Sequence, residues 1–567
     1  MSVDSSIKPA TPPASSWPTR FPHWSTCGIF AFFVVLAVLV QVFGEQLEDA
    51  LPVVDGSVVN IIALICGFLA FLTLYVWFSW LSGFSFEVRR AIFAIPIVGV
   101  LLAVAALRYE GVDGYMKPTF AWRWSPRHED SLKNRPTSEK TIAKPAKQSP
   151  AVAPAAVEPA AVAVEVDLQT ETPDDFPQFL GPERNNYLPT IQLAADWSAK
   201  PPRELWRRDV GPGWSGFAAR NGFAVTIEQR GAEEWVICYS IATGDLLWHH
   251  AAIGRHEEAL GGIGPRSTPT IDGGRVYVQG ATGLVRCLDG ATGRLIWQDD
   301  LLDRYDLTQA TSEYAVKWGR SGSPLNVDDL VIVPAGGQGA DMQALIAYYK
   351  DTGRVAWEAG DDQISYASPV LATIGGVEQI VYVSEKHLAG YDAKTGSQLW
   401  QFDWSGNSNA DANVSQALTL PGDRVFLSKG YGAGSVLLQI AKNGEKFTAE
   451  PLWESRRILK TKFTNITIID GHAYGLSDGV LECADLETGK SKWRGGRYGH
   501  GQVLGVGDKL LVLGEDGDLM LVAADAQKFQ ELGKIEALTG KTWNSLCLAG
   551  KRLLIRNGQQ AVCYELP

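Results

Sequence analysis

Residues 286–297 read RCLDGATGRLIW, and related copies of this stretch recur along the last two thirds of the chain. Each copy has a β-like run, a small polar turn that carries Thr-Gly, and a tryptophan four residues after the glycine. A repeat at this scale predicts one supersecondary unit per copy. Besides the copy that ends at Trp297, clear copies end at Trp248, Trp357, Trp400 and Trp493, and degenerate copies end at Trp453 and near Ile535.

Each unit opens with Ser-Pro or a related pair, followed by an aliphatic alternation, a Gly/Asp turn and a second run, as in STPTIDGGRVYVQG at 267–280. Four short strands in roughly 40–60 residues are what one propeller blade requires. The pattern predicts an all-β, eight-bladed β-propeller with four-stranded blades. Its first strands are predicted to start at Phe217, Ser267, Ser323, Ser368, Ser415, Thr464, Gln502 and Asn544.

The last unit ends in AVCYELP and lacks a fourth strand, whereas ELWRRDV around Trp206 looks like a fourth strand without its partners. Pairing the two would close the ring and remove both exposed sheet edges. The Thr-Gly turn places glycine where a positive φ is needed, so the following indole is predicted to stack on the neighbouring blade's turn. This structural docking role is predicted for Trp206, Trp248, Trp297, Trp357, Trp400, Trp453 and Trp493.

Three apolar stretches between residues 26 and 107 are long enough, or nearly so, to cross a bilayer as helices. They run at about 26–43, 60–81 and 88–107. The turn before the third stretch carries Arg89 and Arg90, whereas the loop after the first is acidic and holds no Lys or Arg, which predicts a cytoplasmic start and an extracytoplasmic end. Residues 1–25 are then a cytoplasmic tail.

Residues 108–173 are predicted to be a Pro/Ala-rich linker, because 125–175 contain no Gly, Phe, Trp or Tyr. The propeller is predicted to span 174–567. A chain of 567 residues with 58 Gly and 19 Trp fits an all-β domain, and its formal net charge of −12 disfavours a nucleic-acid partner.

Any ligand site is expected where the loops between the fourth strand of one blade and the first strand of the next ring the channel, because these loops carry the polar, irregular sequence. The alternative for Arg266 and Arg320 is that they tie adjacent loops through carboxylates. Neither the histidines at 249, 250 and 256 nor NSNADAN has the spacing of a metal motif. The candidate ligand-binding residues are Arg266, Glu313, Trp318, Arg320, Tyr366, Asn413, Lys462, His500, Trp543 and Asn544, with His256 and Glu257 nearby.

The Cys/Ala-x-Asp-x-x-Thr-Gly-x-x-x-Trp copies resemble the pyrroloquinoline-quinone-like repeat propellers, which are related to quinoprotein alcohol dehydrogenases and to BamB. DFPQFLGPERNNYLP at 175–189 resembles a membrane-anchored bacterial subgroup of that family. For a dehydrogenase the resemblance implies the quinone, calcium, a catalytic Asp and often a vicinal disulfide. This chain has no adjacent cysteines, and the equivalent positions of Cys238, Cys287, Cys483 and Cys563 in different blades indicate packing.

Two functions remain open, since one fold can serve many functions. The favoured one is a membrane-tethered, extracytoplasmic binding or scaffold propeller for a protein or small ligand. The alternative is a periplasmic quinone-dependent alcohol or sugar dehydrogenase that passes electrons to the membrane. The first function requires no cofactor and suggests an envelope protein partner; the second requires pyrroloquinoline quinone with calcium. Both place the chain in a bacterial inner membrane with a periplasmic propeller.

Overall fold

The computed structural model describes residues 21–51, 54–133, 165–339 and 342–567. Two compact units are present: residues up to 109 together with 120–125, and residues 110–119 together with 126–567. Most of the predicted tail (1–20) and much of the predicted linker (134–164) lie outside the described residues.

The first unit contains three apolar helices, Trp24–Val42, Gly56–Leu81 and Phe86–Ala106, each long and apolar enough to cross a membrane. The prediction of three such helices is confirmed, and each begins a few residues earlier than predicted. The Asp55 carboxylate explains the earlier start of the second, because it accepts a hydrogen bond from the Val58 amide at 2.9 Å and caps the helix. A short helix, Gly44–Ala50, follows the first.

The second unit contains eight antiparallel sheets with the strand order 1-2-3-4, which confirms the eight-bladed propeller. Blade 1 has strands Ala218–Arg220, Phe223–Arg230, Glu233–Ser240 and Leu246–Ile253. Blade 2 has Thr270–Asp272, Arg275–Gln279, Leu284–Asp289 and Leu295–Asp300. Blade 3 has Leu325–Val327, Leu330–Gly336, Gln343–Tyr349 and Val355–Ala359, and blade 4 has Val370–Ile374, Val377–Val383, His387–Asp392 and Gln398–Asp403.

The second half of the ring continues the same order. Blade 5 has Leu418–Leu420, Arg424–Lys429, Gly434–Asn443 and Lys446–Ser455, and blade 6 has Thr467–Ile469, His472–Ser477, Val480–Asp485 and Lys490–Arg497. Blade 7 has Gln502–Val506, Lys509–Leu513, Asp518–Ala523 and Glu531–Glu536. Blade 8 has Cys547–Ala549, Arg552–Arg556, Gln560–Glu565 and, from the other end of the domain, Arg203–Asp209.

The ring is closed by the strand Arg203–Asp209, as predicted. This strand runs antiparallel to Gln560–Glu565 and sets Trp206 opposite Cys563. Because the partner strand is the last of the chain, the pairing removes the two edges that an open ring would expose.

Each docked indole joins one blade to the next. The Trp248 ring stacks on Gly293 of blade 2 and donates its Nε1 hydrogen to the Gly290 carbonyl at 2.9 Å. Gly293 has φ +71° and no side chain, which leaves room for the ring. The same donation, from the docking tryptophan to a carbonyl of the next blade, is made by Trp206, Trp297, Trp453 and Trp493.

Trp357 and Trp400 depart from this pattern. The Trp357 ring packs on Gly396, but among the described residues its Nε1 has no hydrogen-bond partner. Trp400 Nε1 donates to the Gln379 side chain of its own blade at 2.7 Å. Blade 5 has no Thr-Gly turn to receive it, because its third and fourth strands extend into a long hairpin around Gly444. The degenerate repeat in the sequence thus corresponds to a different inter-blade contact.

Smaller elements join the blades or precede them. They include a two-stranded hairpin, Leu107–Val112 with Pro118–Trp122, and a helix, His128–Lys133. The strand Tyr187–Leu188 runs parallel to the first strand of blade 7. Between blades lie the strand pair Glu257–Glu258 and Gly262–Ile263, and the helices Leu301–Arg304 and Gln309–Ala315.

Replacing Trp206 with Ala should lower the free energy of unfolding by about 2–4 kcal/mol, since a half-buried indole and its hydrogen bond to Ile241 are lost. The measurement is urea unfolding of the full chain in detergent. Leu452→Ala, on the fourth strand of blade 5 and 52% exposed, is the control and should change little. Equal stability of the Trp206 variant and the wild type would contradict closure by this strand.

Candidate functional site

The loop face is the side of the propeller that carries the loops between fourth and first strands and between second and third strands. The structure places all ten predicted ligand-binding residues in loops of this face. Several of them bind backbone groups of their own loops. Trp214 links the two sides of the face, because its Nε1 donates to the Gly261 carbonyl, which also accepts from Arg266, and its ring packs on Trp543 at a centroid distance of 4.9 Å.

Arg266 braces its own loop, whereas Arg320 ties its loop to the second strand of blade 3. The Arg266 guanidinium donates to the carbonyls of Gly264 at 2.6 Å and Gly261 at 2.9 Å. The Arg320 guanidinium donates to the Ala335 carbonyl and lies 3.5 Å from the Ser312 hydroxyl. Burial lowers the pKa of both residues to about 10. The sequence suggested carboxylate partners for a tie, whereas backbone carbonyls are the acceptors here.

The side chains of Asn413 and Asn544 also form hydrogen bonds with backbone carbonyls. The Asn413 amide donates to the carbonyls of Ser384, Glu385 and Trp404, between 2.9 and 3.1 Å. The Asn544 amide donates to carbonyls in the loop that leads into blade 1. Both side chains are buried, so they hold the loop face rigid.

Trp318 and Tyr366 form an aromatic pair with ring centroids 5.4 Å apart. The Tyr366 hydroxyl donates to the Ser408 carbonyl at 2.7 Å and accepts from the Trp318 amide at 3.1 Å. Glu313 lies at the rim, where its carboxylate is 3.7 Å from His256 Nδ1. This half of the loop face is therefore occupied by contacts among its own loops.

The remaining predicted residues, Lys462, His500 and Trp543, come together between blades 5 and 8. The Phe463 ring bridges His500 and Trp543, with centroid distances of 5.3 and 4.7 Å. Asp478 Oδ1 lies 3.3 Å from Lys462 Nζ and 3.7 Å from His500 Nε2. Burial, with the nearby Lys462 charge, lowers the pKa of His500 to about 3, so the imidazole is neutral in the folded protein.

Sequence reasoning missed two ionisable residues of this cluster, Glu515 and Lys541. The Glu515 carboxylate accepts from Trp543 Nε1 at 2.8 Å and from the His500 amide at 3.1 Å. The Lys541 ammonium lies 4.3 Å from the Trp543 ring centroid, and burial lowers its pKa to about 8. Glu515 belongs to a loop between second and third strands, and the signal that points to it is that these loops emerge on the same face as the loops between blades.

The hairpin tip, residues 110–119, lies in the same compact unit as the propeller and contacts this cluster. The Gly114 amide donates to Glu515 at 2.5 Å, and Lys541 donates to the Val112 carbonyl at 3.0 Å. The Tyr115 ring packs on His500 at a centroid distance of 4.9 Å. A polypeptide turn therefore occupies this part of the loop face.

A second segment, residues 176–188, fills the space between the first strands. Phe176 pairs with Ala219 of blade 1, and Tyr187 pairs with Gly505 of blade 7. The buried Arg184 donates to carbonyls that precede the first strand of blade 3, and burial lowers its pKa to about 9. The stretch that carried the family resemblance thus packs along the inner strands.

The arrangement does not fit the calcium and quinone of the dehydrogenases. Among the described residues, no group of three His, Cys, Asp or Glu side chains is placed to hold a metal ion. Arg266 and Arg320 have backbone acceptors, and the buried Cys287 and Cys483 pair across strands with docking tryptophans. Burial raises the pKa of the Cys287 thiol to about 12, which favours the packing role.

Comparison with protein families gives a match to the family described as outer membrane protein assembly factor BamB, at residues 199–317 and 232–495. These ranges span just over half of the chain.

Individual proteins are also similar to this chain. BamB of Burkholderia pseudomallei (strain K96243) is 23% identical over 299 residues, 51% of this chain and 70% of that protein. Quinohemoprotein alcohol dehydrogenase ADH IIB of Pseudomonas putida is 28% identical over 149 residues, 24% of this chain and 19% of that protein. The crystal structure of BamB from Moraxella catarrhalis is similar at 14% identity and a TM-score of 0.47, covering 64% of this chain and 100% of that one.

Arg266→Ala should lower the free energy of unfolding by about 1–2 kcal/mol, because it leaves the part-buried carbonyls of Gly261 and Gly264 without a charged donor. Chemical unfolding of the full chain in detergent measures the change. Arg294→Ala, an exposed arginine at the strand 3–4 turn of blade 2, is the control and should be neutral. A neutral Arg266 variant would show that this side chain is not a structural tie.

Acidification should destabilise the protein through His500. Its folded pKa of about 3 lies below the ordinary value of 6.5, so between these values the unfolded chain binds a proton that the folded chain does not. Stability then falls as the pH drops below 6.5, by up to about 1.4 kcal/mol per pH unit from this group. His500→Gln should have a shallower slope than the wild type between pH 6.5 and 4.5, whereas parallel slopes would contradict a buried neutral imidazole.

Proposed function

Since the chain belongs to the propeller family described as outer membrane protein assembly factor BamB, we propose that it is a membrane-tethered binding module. Its three apolar helices anchor it in a bacterial inner membrane. Its propeller lies in the periplasm and holds an envelope protein on the loop face.

The family supports the scaffold part of this proposal. The curated relative from Burkholderia pseudomallei is called an outer membrane protein assembly factor, a name that describes an accessory to the assembly of other proteins. A propeller suits this work, because its loops form a broad surface on a rigid ring.

The distribution of charge supports the orientation. The first turns of the third helix carry Arg89 and Arg90, and the loop between the first two helices is acidic. Positive charge is retained on the cytoplasmic side, so an odd number of crossings leads to a periplasmic propeller.

The observation that carries the proposal is the way the loop face uses its polar groups. Arg266, Arg320, Asn413 and Asn544 fix loop backbones, so they make a rigid surface rather than a reactive centre. On that surface the aromatic cluster around Trp543 accommodates a polypeptide turn. A surface of this kind recognises protein by shape and by a few aligned hydrogen bonds.

A quinone-dependent dehydrogenase is not proposed. The similarity to the Pseudomonas putida enzyme covers 19% of that protein, and the residues of the loop face do not fit its cofactors.

Reporter fusions test the orientation. Alkaline phosphatase fused after Pro567 should be active, and a green fluorescent protein that folds only in the cytoplasm should be dark there. Fusions after Ser85, in the turn that precedes the third helix and its two arginines, are the control and should give the opposite pattern. Cytoplasmic fluorescence from the fusion after Pro567 would refute a periplasmic propeller.

Spectroscopy tests the choice of function. The purified chain mixed with calcium and pyrroloquinoline quinone should show neither the absorbance of bound quinone nor dye-linked oxidation of alcohols. Activity in that assay would refute the proposed binding module and support a dehydrogenase.

A further inference from the structure

We propose that the loop face between blades 6 and 8 is a binding site for a short Asp-Gly-Tyr turn of a polypeptide, and that the hairpin tip occupies this site within the same chain. The inference rests on the proposed function and specifies the ligand of its loop face. A protein partner that presents such a turn would compete with the tip.

The site has an acceptor that the propeller itself holds in place. Trp543 Nε1 and the His500 amide both donate to the Glu515 carboxylate, at 2.8 and 3.1 Å. The third donor is the Gly114 amide of the tip, at 2.5 Å. Because two of the three donors belong to the propeller, the carboxylate is positioned for a backbone N–H before the tip arrives.

The fit admits only glycine at the contact point. A Cβ atom on Gly114 would lie 2.9 Å from Glu515 Oε1 and would overlap the His500 imidazole. Neither neighbour can withdraw freely, since His500 is fully buried and Glu515 is held by its two other donors. The site therefore selects a turn whose backbone approaches closely.

The next residue of the turn enters an aromatic and polar recess. The Tyr115 ring lies against His500, and its hydroxyl donates to the Asp478 carbonyl at 3.2 Å. The two rings meet at an interplanar angle of 54°, and among the described residues the ring nitrogens of the buried His500 have no hydrogen-bond partner. A planar side chain with a hydroxyl at its far end can therefore pack on His500 and donate a hydrogen bond to the Asp478 carbonyl.

A third contact fixes the direction of the bound turn. Lys541, which lies over Trp543, donates to the Val112 carbonyl at 3.0 Å. The site thus contacts, in chain order, a backbone carbonyl, a backbone amide and a tyrosine side chain of the bound turn. A chain running in the opposite direction would exchange the donor and the acceptor.

The tip is organised before it binds. The Asp113 carboxylate accepts hydrogen bonds from the amides of Tyr115 at 2.9 Å and Lys117 at 2.8 Å. Such Asx turns form locally, so little conformational entropy is lost on docking. Within the described part of the chain, the strands Leu107–Val112 and Pro118–Trp122 form a two-stranded sheet of their own, separate from the sheets of the blades. The tip can therefore be displaced while the ring stays intact.

The test measures binding of the tip in trans to the full chain in detergent. The probe is a fluorescent peptide of residues 107–122. Wild-type protein should bind it weakly, because a tethered tip competes at an effective concentration of about 1 mM. Gly114→Val in the protein expels its own tip, and the affinity for the peptide should then rise roughly ten-fold or more.

The controls separate recognition from damage. Gly558→Val, at a loop-face glycine with open space around its Cβ position, should bind the peptide as weakly as the wild type. A peptide that itself carries Gly114→Val, or Asp113→Ala, should not bind the expelled-tip protein. These peptide variants leave the fold of the protein unchanged.

Two results would overturn the inference. One is equal affinity of the peptide for the wild type, Gly114→Val and Gly558→Val. The other is no binding to a Gly114→Val protein that melts like the wild type. If the reporter fusions still place the propeller in the periplasm, only this inference has failed; a cytoplasmic propeller would instead refute the proposed function, whatever the peptide does.

Discussion

An indole that stacks on a glycine of the next blade is the contact on which the ring depends. Each contact removes a large apolar surface from water, and Trp206, Trp248, Trp297 and Trp453 also align an Nε1 hydrogen with a backbone carbonyl. Because the turn glycine has a positive φ and no side chain, the two blades meet at a fixed distance and angle. The contact recurs at Trp206, Trp248, Trp297, Trp357 and Trp453, and it helps to set the curvature that brings the last strand back to the first.

The rigid ring explains why its polar loops can be held by so few groups. Arginine and asparagine side chains that reach backbone carbonyls fix loops that would otherwise move with the chain. The same donors are then no longer available to an anionic cofactor. In a catalytic pocket, by contrast, donors must remain directed at the reacting group.

Most of the fold could be predicted from the sequence, because most blades repeat the same sequence features: a Thr-Gly turn, a tryptophan, and Ser-Pro or a related pair at the start. Even the closing strand was visible, since ELWRRDV is a fourth strand with no first three. The site was harder to predict. His500, Lys462 and Trp543 were found as loop residues, but Glu515 and Lys541 were not singled out, and the hairpin tip lies almost 400 positions away from Glu515. Contacts between distant segments without a repeated pattern leave no signal in a single sequence.

Closure of the ring also imposes a delay during synthesis, because the two strands that complete blade 8 are made far apart in time. Arg203 and Glu565, which form an ion pair between the two strands that complete blade 8, are separated by 362 positions. A ribosome that adds about 5–20 residues per second needs roughly 20–70 s to cover that distance. During this interval the strand around Trp206 has been made but its partner has not, and the nascent sheets carry open edges that invite wrong pairing. A chain cut short anywhere before Gln560 never closes, so the last residues made decide whether all the earlier ones are protected.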